Sequence, residues 1–557
     1  MKNFIFLFTA IIFLASCTSK KYDLIIRNGI IYDGSGEEPV RADIAVNADT
    51  IAFIGDLSNA TGTKEIDAKS RAVTPGFINM LSWANESLIK NGHSKSDILQ
   101  GVTTEIMGEG WSMGPLNDSM KAQNLREEAD IKYPIEWTTL GEYLNFLEKK
   151  GIACNVSSFI GATTVRIHEV GFTDRAATPE ELNRMRDLVR EAMREGALGV
   201  GSSLIYSPAT YASTEELIAL CKAAGEYNGM YISHMRNEGN TIDSAVNELI
   251  RIAREANVPA EIYHFKQAGY NNWNKCDAII KKVEDARAAG LQITADMYNY
   301  TAGGTGLYAC LPPWVQSGGV DSLILRLKDA KLRSRVIKEM NTPTNEWDNF
   351  YQNVKSPDSI LLASFSNDSL KKFQGKSLSE VAHIRNKTPQ ETLLDLVIED
   401  RDATGAIFFV MSEDNLRKEA VMPWMSFGSD EASYSDDSVF FKSNCHPRAY
   451  GNFTRVITKW SRDQKLFSLQ EAIRKMTSLP AQNLKLQKRG MLAVGYYADI
   501  LIFDPNAIQD HATFQNPRQY ATGMDDVFVN GKPVLEEGKF TDALPGRFVK
   551  GPGFGKK

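Results

Sequence analysis

The chain has 557 residues, of which 43% are hydrophobic and 24% charged, a composition typical of a soluble globular protein with a large core. Its 63 basic and 69 acidic residues leave a formal charge of −6, without the excess of Lys and Arg that characterises nucleic-acid-binding domains. We therefore expect one large domain with a smaller one, and a small ligand or a peptide as partner rather than nucleic acid.

Residues 1–17 have the pattern of an export signal. An apolar stretch runs from Phe4 to Ala15, and small residues precede Cys17. This stretch is too short to span a bilayer comfortably, which predicts a cleaved signal peptide. The residues Leu14-Ala15-Ser16-Cys17 also resemble the bacterial lipobox, which predicts lipidation of Cys17. The protein is then expected to be exported and anchored to a bacterial membrane, where it faces the periplasm or the cell surface. The lipid anchor is its only expected membrane contact. The alternative is an ordinary signal peptide with a chance cysteine.

Short alternating strands with turn signals occur near both ends of the remaining chain. The N-terminal part reads DLIIRNGIIYDGSG, and the same texture returns in GYYADILIFDP and DDVFVNGKPVLEEGKF. Asn-Gly and Asp-Gly pairs between such runs indicate antiparallel strands. We predict that residues 18–72 and 485–557 form one small β-sandwich domain, with residues 73–484 inserted between its two halves.

In the central part, apolar runs alternate with amphipathic helical segments such as PEELNRMRDLVREAMREGA and DSAVNELIRIAREAN. This alternation is typical of a parallel βα fold. It predicts an α/β fold, namely a (β/α)8 TIM-type barrel with the small β-sandwich domain formed by both chain ends. The eight strand candidates are AVTPGFIN, TTEIM, NVSSFI, LGVGSSL, GMYISH, AEIYHF, LQITAD and WMSFGSD.

One connection, between the last two candidate strands, is much longer than a βα loop requires. Within it we predict an insertion at about residues 315–385, which includes the helical patch DSLILRLKDAKLRSRVIKEM. It serves either as a lid over the mouth of the barrel or as a surface elaboration without a role in the site.

Titratable residues collect at the predicted strand ends. His234 and His264 close the fifth and sixth strands 30 residues apart, Glu109 follows the second strand, and Asp430 follows the eighth. Because parallel strands end at the same rim, the two imidazoles are expected side by side. Two imidazoles and one carboxylate suit a divalent transition ion such as zinc with a position left for water, and Asp430 is the candidate for the carboxylate that takes a proton.

Each of these residues also has a simpler explanation, which for His234 and His264 is a structural hydrogen bond at a strand end. Glu109 could be a solvated loop acid, although its flanking glycines favour close backbone approach. Asp430 could cap the next segment. Lys266 and Arg448 are either surface charges or contacts to a substrate.

Many separate motifs in order, from about Asp23 to Pro545, carry a family resemblance. They include VTPGFIN, GVTTEIMGEGWS, SHMRNEG, HFKQAGYNNW, DMYNYTA, GSDEAS and HPRAYGNF. The pattern resembles the amidohydrolase superfamily and, within it, the N-acyl-D-amino-acid deacylases or D-aminoacylases. The resemblance implies a β-sandwich from both termini, a distorted (β/α)8 barrel and a zinc site at the strand ends.

The resemblance also implies roles for individual residues. His234 and His264 match the two histidines of the tightly bound zinc, and Glu109 stands where many members have a cysteine ligand. Asp430 matches the catalytic aspartate. The residues Lys266, Tyr298 and Arg448 fall where the family holds the carboxylate of its substrate, and Tyr206 and His446 are further pocket candidates, each with packing or loop anchoring as the alternative.

The chain departs from the family pattern after the first strand. Where amidohydrolases usually carry PGFIDxHxH, this chain reads PGFINMLSW, with Leu81 and Trp83 at the histidine positions. Neither side chain can ligate a metal, and the fourth strand offers no lysine for a carbamylated bridge. The expectation is therefore a single zinc ion on Glu109, His234 and His264.

The resulting prediction is a zinc-dependent amide hydrolase that deacylates N-acyl-D-amino acids or related D-residue peptides, small molecules that carry a carboxylate. The alternative, suggested by the lost His-x-His, is a membrane-anchored binding protein without catalysis or with weak activity on a degenerate amidohydrolase scaffold. Another amidase activity at the same site is a third possibility. The sequence does not predict the acyl group, the side chain or the oligomeric state.

Overall fold

The structure is a computed structural model that describes residues 20–127 and 129–556. The predicted signal peptide and its Cys17 lie outside the described residues. In the part of the chain that is described, no helix has both the length and the apolar character that crossing a membrane requires.

The described residues form a mixed α/β fold in which short strands alternate with helices. The strands are β1 Lys20–Ile31, β2 Val40–Asn47, β3 Thr50–Gly55, β4 Ala60–Asp67, β5 Ala72–Pro75, β6 Phe77–Asn79, β7 Val102–Met107, β8 Asn155–Ser158, β9 Ile160–Gly161, β10 Gly199–Ser203, β11 Met230–His234, β12 Ala260–Ile262, β13 Ile293–Met297, β14 Gly303–Gly306, β15 Ile360–Ser364, β16 Gly405–Phe408, β17 Met425–Phe427, β18 Ile500–Phe503, β19 Met524–Val529, β20 Lys532–Glu536 and β21 Lys539–Phe540.

The α-helices follow the predicted apolar spacing where they are long. In the helix that spans Ile242–Ala256, the buried side chains recur at three- and four-residue intervals, the spacing of one helix face. The helices are α1 Asn85–Lys90, α2 Lys95–Ile98, α3 Asp118–Glu127, α4 Leu140–Lys150, α5 Ala162–Glu169, α6 Pro179–Glu195, α7 Thr214–Gly225, α8 Ile242–Ala256, α9 Cys276–Ala288, α10 Pro313–Gln316, α11 Val320–Lys328, α12 Ala330–Met340, α13 Phe350–Asn353, α14 Leu378–Arg385, α15 Pro389–Glu399, α16 Glu413–Ala420, α17 Arg448–Arg455, α18 Leu469–Met476 and α19 Ser478–Asn483.

Strands from both chain ends share one sheet. Its order is β21-β20-β19-β18-β5-β1-β2-β3, with β4 paired to β1. The contact between the two ends is the antiparallel pair of β5 and β18, in which Val73 lies opposite Ile502. The predicted first barrel strand is therefore wrong in one respect, because residues 72–79 form two strands: β5 belongs to this sheet, and β6 pairs with β7.

The break between β5 and β6 falls at Gly76. A Cβ atom at this position would lie 2.0 Å from Oγ1 of Thr103, so only glycine allows the chain to pass so close to β7. The N–H of Gly76 donates to the carbonyl of Asp499 at 2.9 Å. This contact ties the bend to the loop before β18.

Parallel strands form two further sheets, ordered β17-β13-β12-β11-β10-β9 and β6-β7-β8. Both faces of β7, β10 and β11 are buried, as expected for parallel strands covered by helices. The two sheets meet twice: Leu198 N donates to Ser158 O at 3.0 Å, and Met80 N donates to Phe427 O at 3.2 Å. The carboxyl ends of the strands therefore lie near one another.

The long connection between β13 and β17 contains an antiparallel sheet ordered β14-β16-β15. In it Gly304 lies opposite Ile407, and Ile407 lies opposite Leu361. Two of its strands, β14 and β16, lie outside the predicted insertion at residues 315–385, so the small sheet extends beyond that segment on both sides. Residues of this sheet face the cavity described below.

Candidate active site

Three buried ligand-type side chains converge at the carboxyl ends of the parallel strands. Glu109 follows β7, His234 ends β11, and His264 lies two residues after β12. The Oε1 atom of Glu109 lies 3.1 Å from Nδ1 of His234 and 3.0 Å from Nε2 of His264. One ligand atom from each residue lies within 4.8 Å of the other two.

Backbone contacts fix the positions of these side chains. In the register of β10 and β11, Ser203 lies opposite His234. His264 has a φ of 34°, a strained value for a side chain with a Cβ, and its N–H donates to Oδ1 of Asp296 at 3.0 Å. Beside Glu109, Gly110 has a φ of 71°, and a Cβ atom there would lie 2.7 Å from the backbone nitrogen of Ser203. The glycine therefore allows the loop of Glu109 to approach the next strands.

The charge of Glu109 matches a ligand role. Burial alone would raise the pKa of this carboxyl, but His264 and His234 outweigh burial and lower the pKa to about 2. Glu109 is therefore ionised at neutral pH, as a carboxylate ligand must be.

A second buried carboxylate, Glu238, lies behind the histidines and was missed by the sequence analysis. Its Oε1 atom is 3.0 Å from Nδ1 of His264 and 2.7 Å from Nζ of Lys266. Burial disfavours its charged form, but His234, Lys266 and His264 together lower the pKa of Glu238 below its usual range. Its place four residues after His234, in the same SHMRNEG motif, was the available signal.

Glu238 and Lys266 both approach Nδ1 of His264, and the two contacts favour different tautomers of the ring. Nζ of Lys266 lies 2.7 Å from Nδ1 of His264, and that nitrogen accepts a hydrogen bond only when the proton is on Nε2. A ligand role for Nε2 requires the proton on Nδ1, where the Glu238 carboxylate accepts it. In that state Lys266 donates to Glu238 and to the carbonyl of His264, which lies 2.8 Å away.

Asp430 lies in the loop after β17, where one carboxylate oxygen accepts a hydrogen bond and the other forms an ion pair. Its φ is 51°, and its N–H donates to the carbonyl of Leu81 at 2.8 Å. Nε1 of Trp83 lies 3.0 Å from Oδ1, and Nη2 of Arg448 lies 2.9 Å from Oδ2. Burial raises the pKa of Asp430, and the charge of Arg448 acts in the opposite direction.

Arg448, at the start of α17, is buried and only partly paired. Its Nε and Nη1 atoms have no hydrogen-bond partner among the described residues, and its guanidinium carbon lies 4.3 Å from the ring centre of Tyr298. Its backbone N–H donates to Nδ1 of His446, whose Nε2 donates to the carbonyl of Ala302 at 3.0 Å. Burial, with Arg448, holds the pKa of His446 well below its usual range, so His446 anchors the loop of Arg448 as a neutral ring.

All these side chains line a single cavity of about 400 Å³. Tyr206 forms part of its wall, with the ring 5.2 Å from that of His234 and the hydroxyl 2.8 Å from Oγ1 of Thr305. Every site residue that the sequence analysis assigned to metal, proton or substrate therefore reaches this cavity. Its members are Glu109, Tyr206, His234, His264, Lys266, Tyr298, Asp430, His446 and Arg448.

The donor set fits one divalent transition ion. Two imidazole nitrogens and one ionised oxygen lie within 4.8 Å of one another, and Glu238 supports the tautomer of His264 that a ligand needs. Among the described residues this is the one cluster of at least three such side chains close enough to share an ion. Leu81 is fully buried, and Trp83 faces the cavity. Neither supplies a ligand, because neither side chain carries an atom that binds a metal ion.

Known proteins share both the sequence and the fold. The amidohydrolase family matches residues 64–535. A D-aminoacylase of Alcaligenes xylosoxydans xylosoxydans is 32% identical over 540 residues, which cover 96% of this chain and 99% of the relative. The solved N-acyl-D-glutamate deacylase of Bordetella bronchiseptica, complexed with zinc and a phosphonate mimic of the tetrahedral intermediate, aligns with a TM-score of 0.78 at 26% identity over 95% of this chain and 100% of that one.

A further solved structure concerns the binuclear metal center of D-aminoacylase, with one-metal activation and second-metal attenuation. It aligns with a TM-score of 0.78 at 30% identity over 95% of this chain and 100% of that one. These matches confirm the predicted family and the mixed α/β fold. The chain belongs to the amidohydrolase family, in the group of the D-aminoacylases and N-acyl-D-amino-acid deacylases.

Proposed function

We propose that the protein hydrolyses the amide bond of N-acyl-D-amino acids or related D-residue peptides with a single zinc ion. The observation that carries the proposal is the cavity in which the ligand cluster Glu109, His234 and His264 lies beside Asp430 and Arg448. The names of the relatives supply the substrate class.

The scaffold that we propose is a closed barrel of parallel strands with a β-sandwich built from both chain ends. The two backbone hydrogen bonds between the parallel sheets support closure. The antiparallel pairing of β5 with β18 supports a terminal domain that both ends build. The domain bounds 18–72, 73–484 and 485–557 stay predictions.

In the reaction, Asp430 moves the proton. A zinc ion on the three ligands supplies Lewis acidity toward the scissile carbonyl and the attacking water. Asp430 accepts one proton from the water while the water oxygen bonds to the carbonyl carbon. It then donates this proton to the amine nitrogen as the C–N bond breaks. The raised pKa of Asp430 favours this exchange, because burial makes the carboxylate a better base.

Arg448 holds the substrate by its carboxylate. Its Nε and Nη1 atoms have no hydrogen-bond partner among the described residues, so the guanidinium keeps donors for a substrate carboxylate. The ring of Tyr298 packs against the guanidinium and restricts its rotation. Lys266 also lines the cavity, but its ammonium group already donates to Glu238, so we assign the main carboxylate contact to Arg448.

The test is the substitution Asp430→Asn, with Asp436→Asn as control. Asp436 is an exposed carboxylate near Lys95 and does not line the cavity. Asp430→Asn should abolish turnover of an N-acyl-D-amino acid while the protein keeps its fold and one zinc ion, and Asp436→Asn should keep full activity. Unchanged turnover in Asp430→Asn would exclude this mechanism.

Lipidation of Cys17 and export remain a separate proposal from the lipobox pattern. Mass spectrometry of the protein from bacterial membranes tests it. A diacylglyceryl group on an N-terminal Cys17 would support the proposal, whereas a soluble protein cleaved elsewhere would exclude it.

A further inference from the structure

The indole of Trp83, which stands where the family usually has a histidine, contacts two carboxylates of the site. Its indole N–H points at two carboxylates at once: Nε1 lies 3.1 Å from Oε2 of Glu109 and 3.0 Å from Oδ1 of Asp430. The indole is half-buried, and an indole N–H in such a position usually finds one acceptor. Here the two acceptors are the proposed metal ligand and the proposed proton carrier.

Glu109 divides its two oxygens between different partners. Oε1 faces the imidazoles of His234 and His264, and the one hydrogen bond that Oε2 accepts from the described residues comes from the indole. The hydrogen bond from Trp83 therefore keeps Oε2 turned away from the histidines. Glu109 thereby presents only its Oε1 atom to the two histidines.

The backbone holds Trp83 and Asp430 in register. Trp83 N donates to the carbonyl of Glu431 at 2.9 Å, and Asp430 N donates to the carbonyl of Leu81 at 2.8 Å. These bonds connect the segment after β6 to the loop after β17 on both sides of the indole. The indole and the Asp430 carboxylate are thus positioned by the same pair of segments.

The point between the two carboxylates would attract a cation. Two anionic oxygens that lie within hydrogen-bonding distance of one atom repel each other unless a positive group stands between them. In this chain the positive end of a neutral N–H dipole stands there, and the indole ring fills the adjoining space of the cavity. A ligand-type side chain at position 83 would instead complete a second cluster with Glu109 and Asp430.

We propose that Trp83 takes the place of a second metal ion: its N–H positions Glu109 and Asp430, and its ring keeps a second ion out. Trp83 is thus a positioning residue, and the chain binds one ion even in excess zinc. The role toward Asp430 rests on the hydrolysis proposed above, whereas the restriction to one ion does not depend on which reaction the site performs.

Three variants separate the two parts of the proposal. Trp83→Phe keeps an aromatic ring and removes the N–H. Trp83→His replaces the indole with a metal ligand. The control is Trp314→Phe, since Trp314 also donates its N–H to a carboxylate, Oε2 of Glu339 at 2.6 Å, but lies outside the cavity.

Zinc stoichiometry, from mass spectrometry after equilibrium dialysis against excess zinc, tests the exclusion of a second ion. We expect one equivalent in the wild type, in Trp83→Phe and in Trp314→Phe, and a second, weaker equivalent in Trp83→His. Two equivalents in the wild type, or one in Trp83→His, would overturn the exclusion. The wild-type measurement decides even where a variant fails to fold.

Steady-state kinetics test whether the N–H of Trp83 positions Glu109 and Asp430. In Trp83→Phe we expect kcat to fall about tenfold to a hundredfold, the usual effect of one lost hydrogen bond to a charged group, with KM within about twofold of the wild type. Trp314→Phe should keep wild-type kinetics. If Trp83→Phe left kcat unchanged, or only raised KM, the proposal that Trp83 is a positioning residue would be overturned. If the wild type hydrolysed no N-acyl amino acid, the proposed function would be refuted, and with it the positioning of Asp430 as a proton carrier. The zinc stoichiometry would still test whether Trp83 keeps out a second ion.

Discussion

Nη2 of Arg448 lies 2.9 Å from Oδ2 of Asp430, so the predicted substrate anchor and the predicted proton carrier form one ion pair. Both side chains line the same cavity. The pair leaves Nε and Nη1 of Arg448 for a ligand. Binding of a substrate carboxylate would therefore place the scissile bond at a fixed distance from Asp430.

Arg448→Lys should weaken substrate binding selectively. Lysine keeps the charge beside Asp430 but loses the planar set of guanidinium donors, so we expect kcat/KM for an N-acyl-D-amino acid to fall about tenfold to a hundredfold, mostly through KM. The comparison is with the same substrate carrying a carboxamide in place of its carboxylate. The effect of the variant should disappear with that analogue, and an equal loss on both substrates would argue against a carboxylate anchor.

The control for this experiment is Arg455→Lys. Arg455 also packs on a tyrosine, with its guanidinium carbon 4.8 Å from the ring centre of Tyr300, but does not line the cavity. It should keep wild-type kcat/KM.

Glu238→Gln should lower the affinity for zinc. The substitution removes the charged acceptor of the Nδ1 proton of His264, and the loss of such a partner typically weakens metal binding about tenfold to a hundredfold. Competition with a chelator of known affinity measures the effect. The matched control is Glu248→Gln, whose carboxylate pairs with Arg236 away from the cavity. Equal zinc affinities for Glu238→Gln and the wild type would contradict the assignment of the tautomer.

Glu109→Gln should remove the stabilisation that zinc gives to the fold. The three ligands join segments after β7, β11 and β12, so an ion that binds only the folded state raises the free energy of unfolding, by about 4 kcal/mol at a thousandfold excess over Kd. Thermal unfolding with and without zinc measures this effect. The melting temperature of the wild type should rise with zinc, and that of Glu109→Gln should not. A rise of the same size in both proteins would place the ion elsewhere.

The buried Glu261 should make stability depend on pH. Burial raises the pKa of its carboxyl from 4.5 to about 7, although hydrogen bonds from Thr294 and Asn483 oppose the change. The folded state therefore binds the proton more tightly than the unfolded state, and stability falls as pH rises from about 4.5 to about 7. The total loss is about 3 kcal/mol, since each tenfold change in acidity corresponds to about 1.4 kcal/mol.

Glu261→Gln removes this titration, so the variant should lose less stability than the wild type across that window. Urea unfolding at pH 5 and pH 8 measures the difference. Glu255→Gln serves as control, because Glu255 is 45% exposed and pairs with Arg251 on the surface. Parallel losses in Glu261→Gln and the wild type would show that Glu261 does not titrate in this range.

The ligand cluster was predictable because its members stand at strand ends. His234 ends β11, and Glu109 follows β7 by two residues, so the common rim of parallel strands brings them together. His264 lies beside the other two but does not end its strand: β12 ends at Ile262, and His264 lies in a strained turn that Asp296 holds. A strained turn of this kind leaves no sign in the apolar pattern.

Contacts that form across distant segments were not predictable. Glu238 becomes a site residue only because Lys266 and His264 fold onto it. The indole of Trp83, identified in the sequence only as a lost ligand, becomes a donor to two carboxylates because the segment after β6 is paired to the loop after β17. The division of residues 72–79 into two strands depends on the approach of Gly76 to Thr103, which no local signal records.

The central claim is a single-zinc deacylase, and titration of zinc into chelator-stripped protein tests it most directly. Initial rates are recorded on matched N-acyl-D- and N-acyl-L-amino acids at each addition. The account predicts no turnover without metal, a rate on the D-enantiomer that rises to a plateau at one equivalent per chain, and little turnover of the L-enantiomer. Full activity in the stripped protein, or a rate that continues to rise to two equivalents, would contradict it.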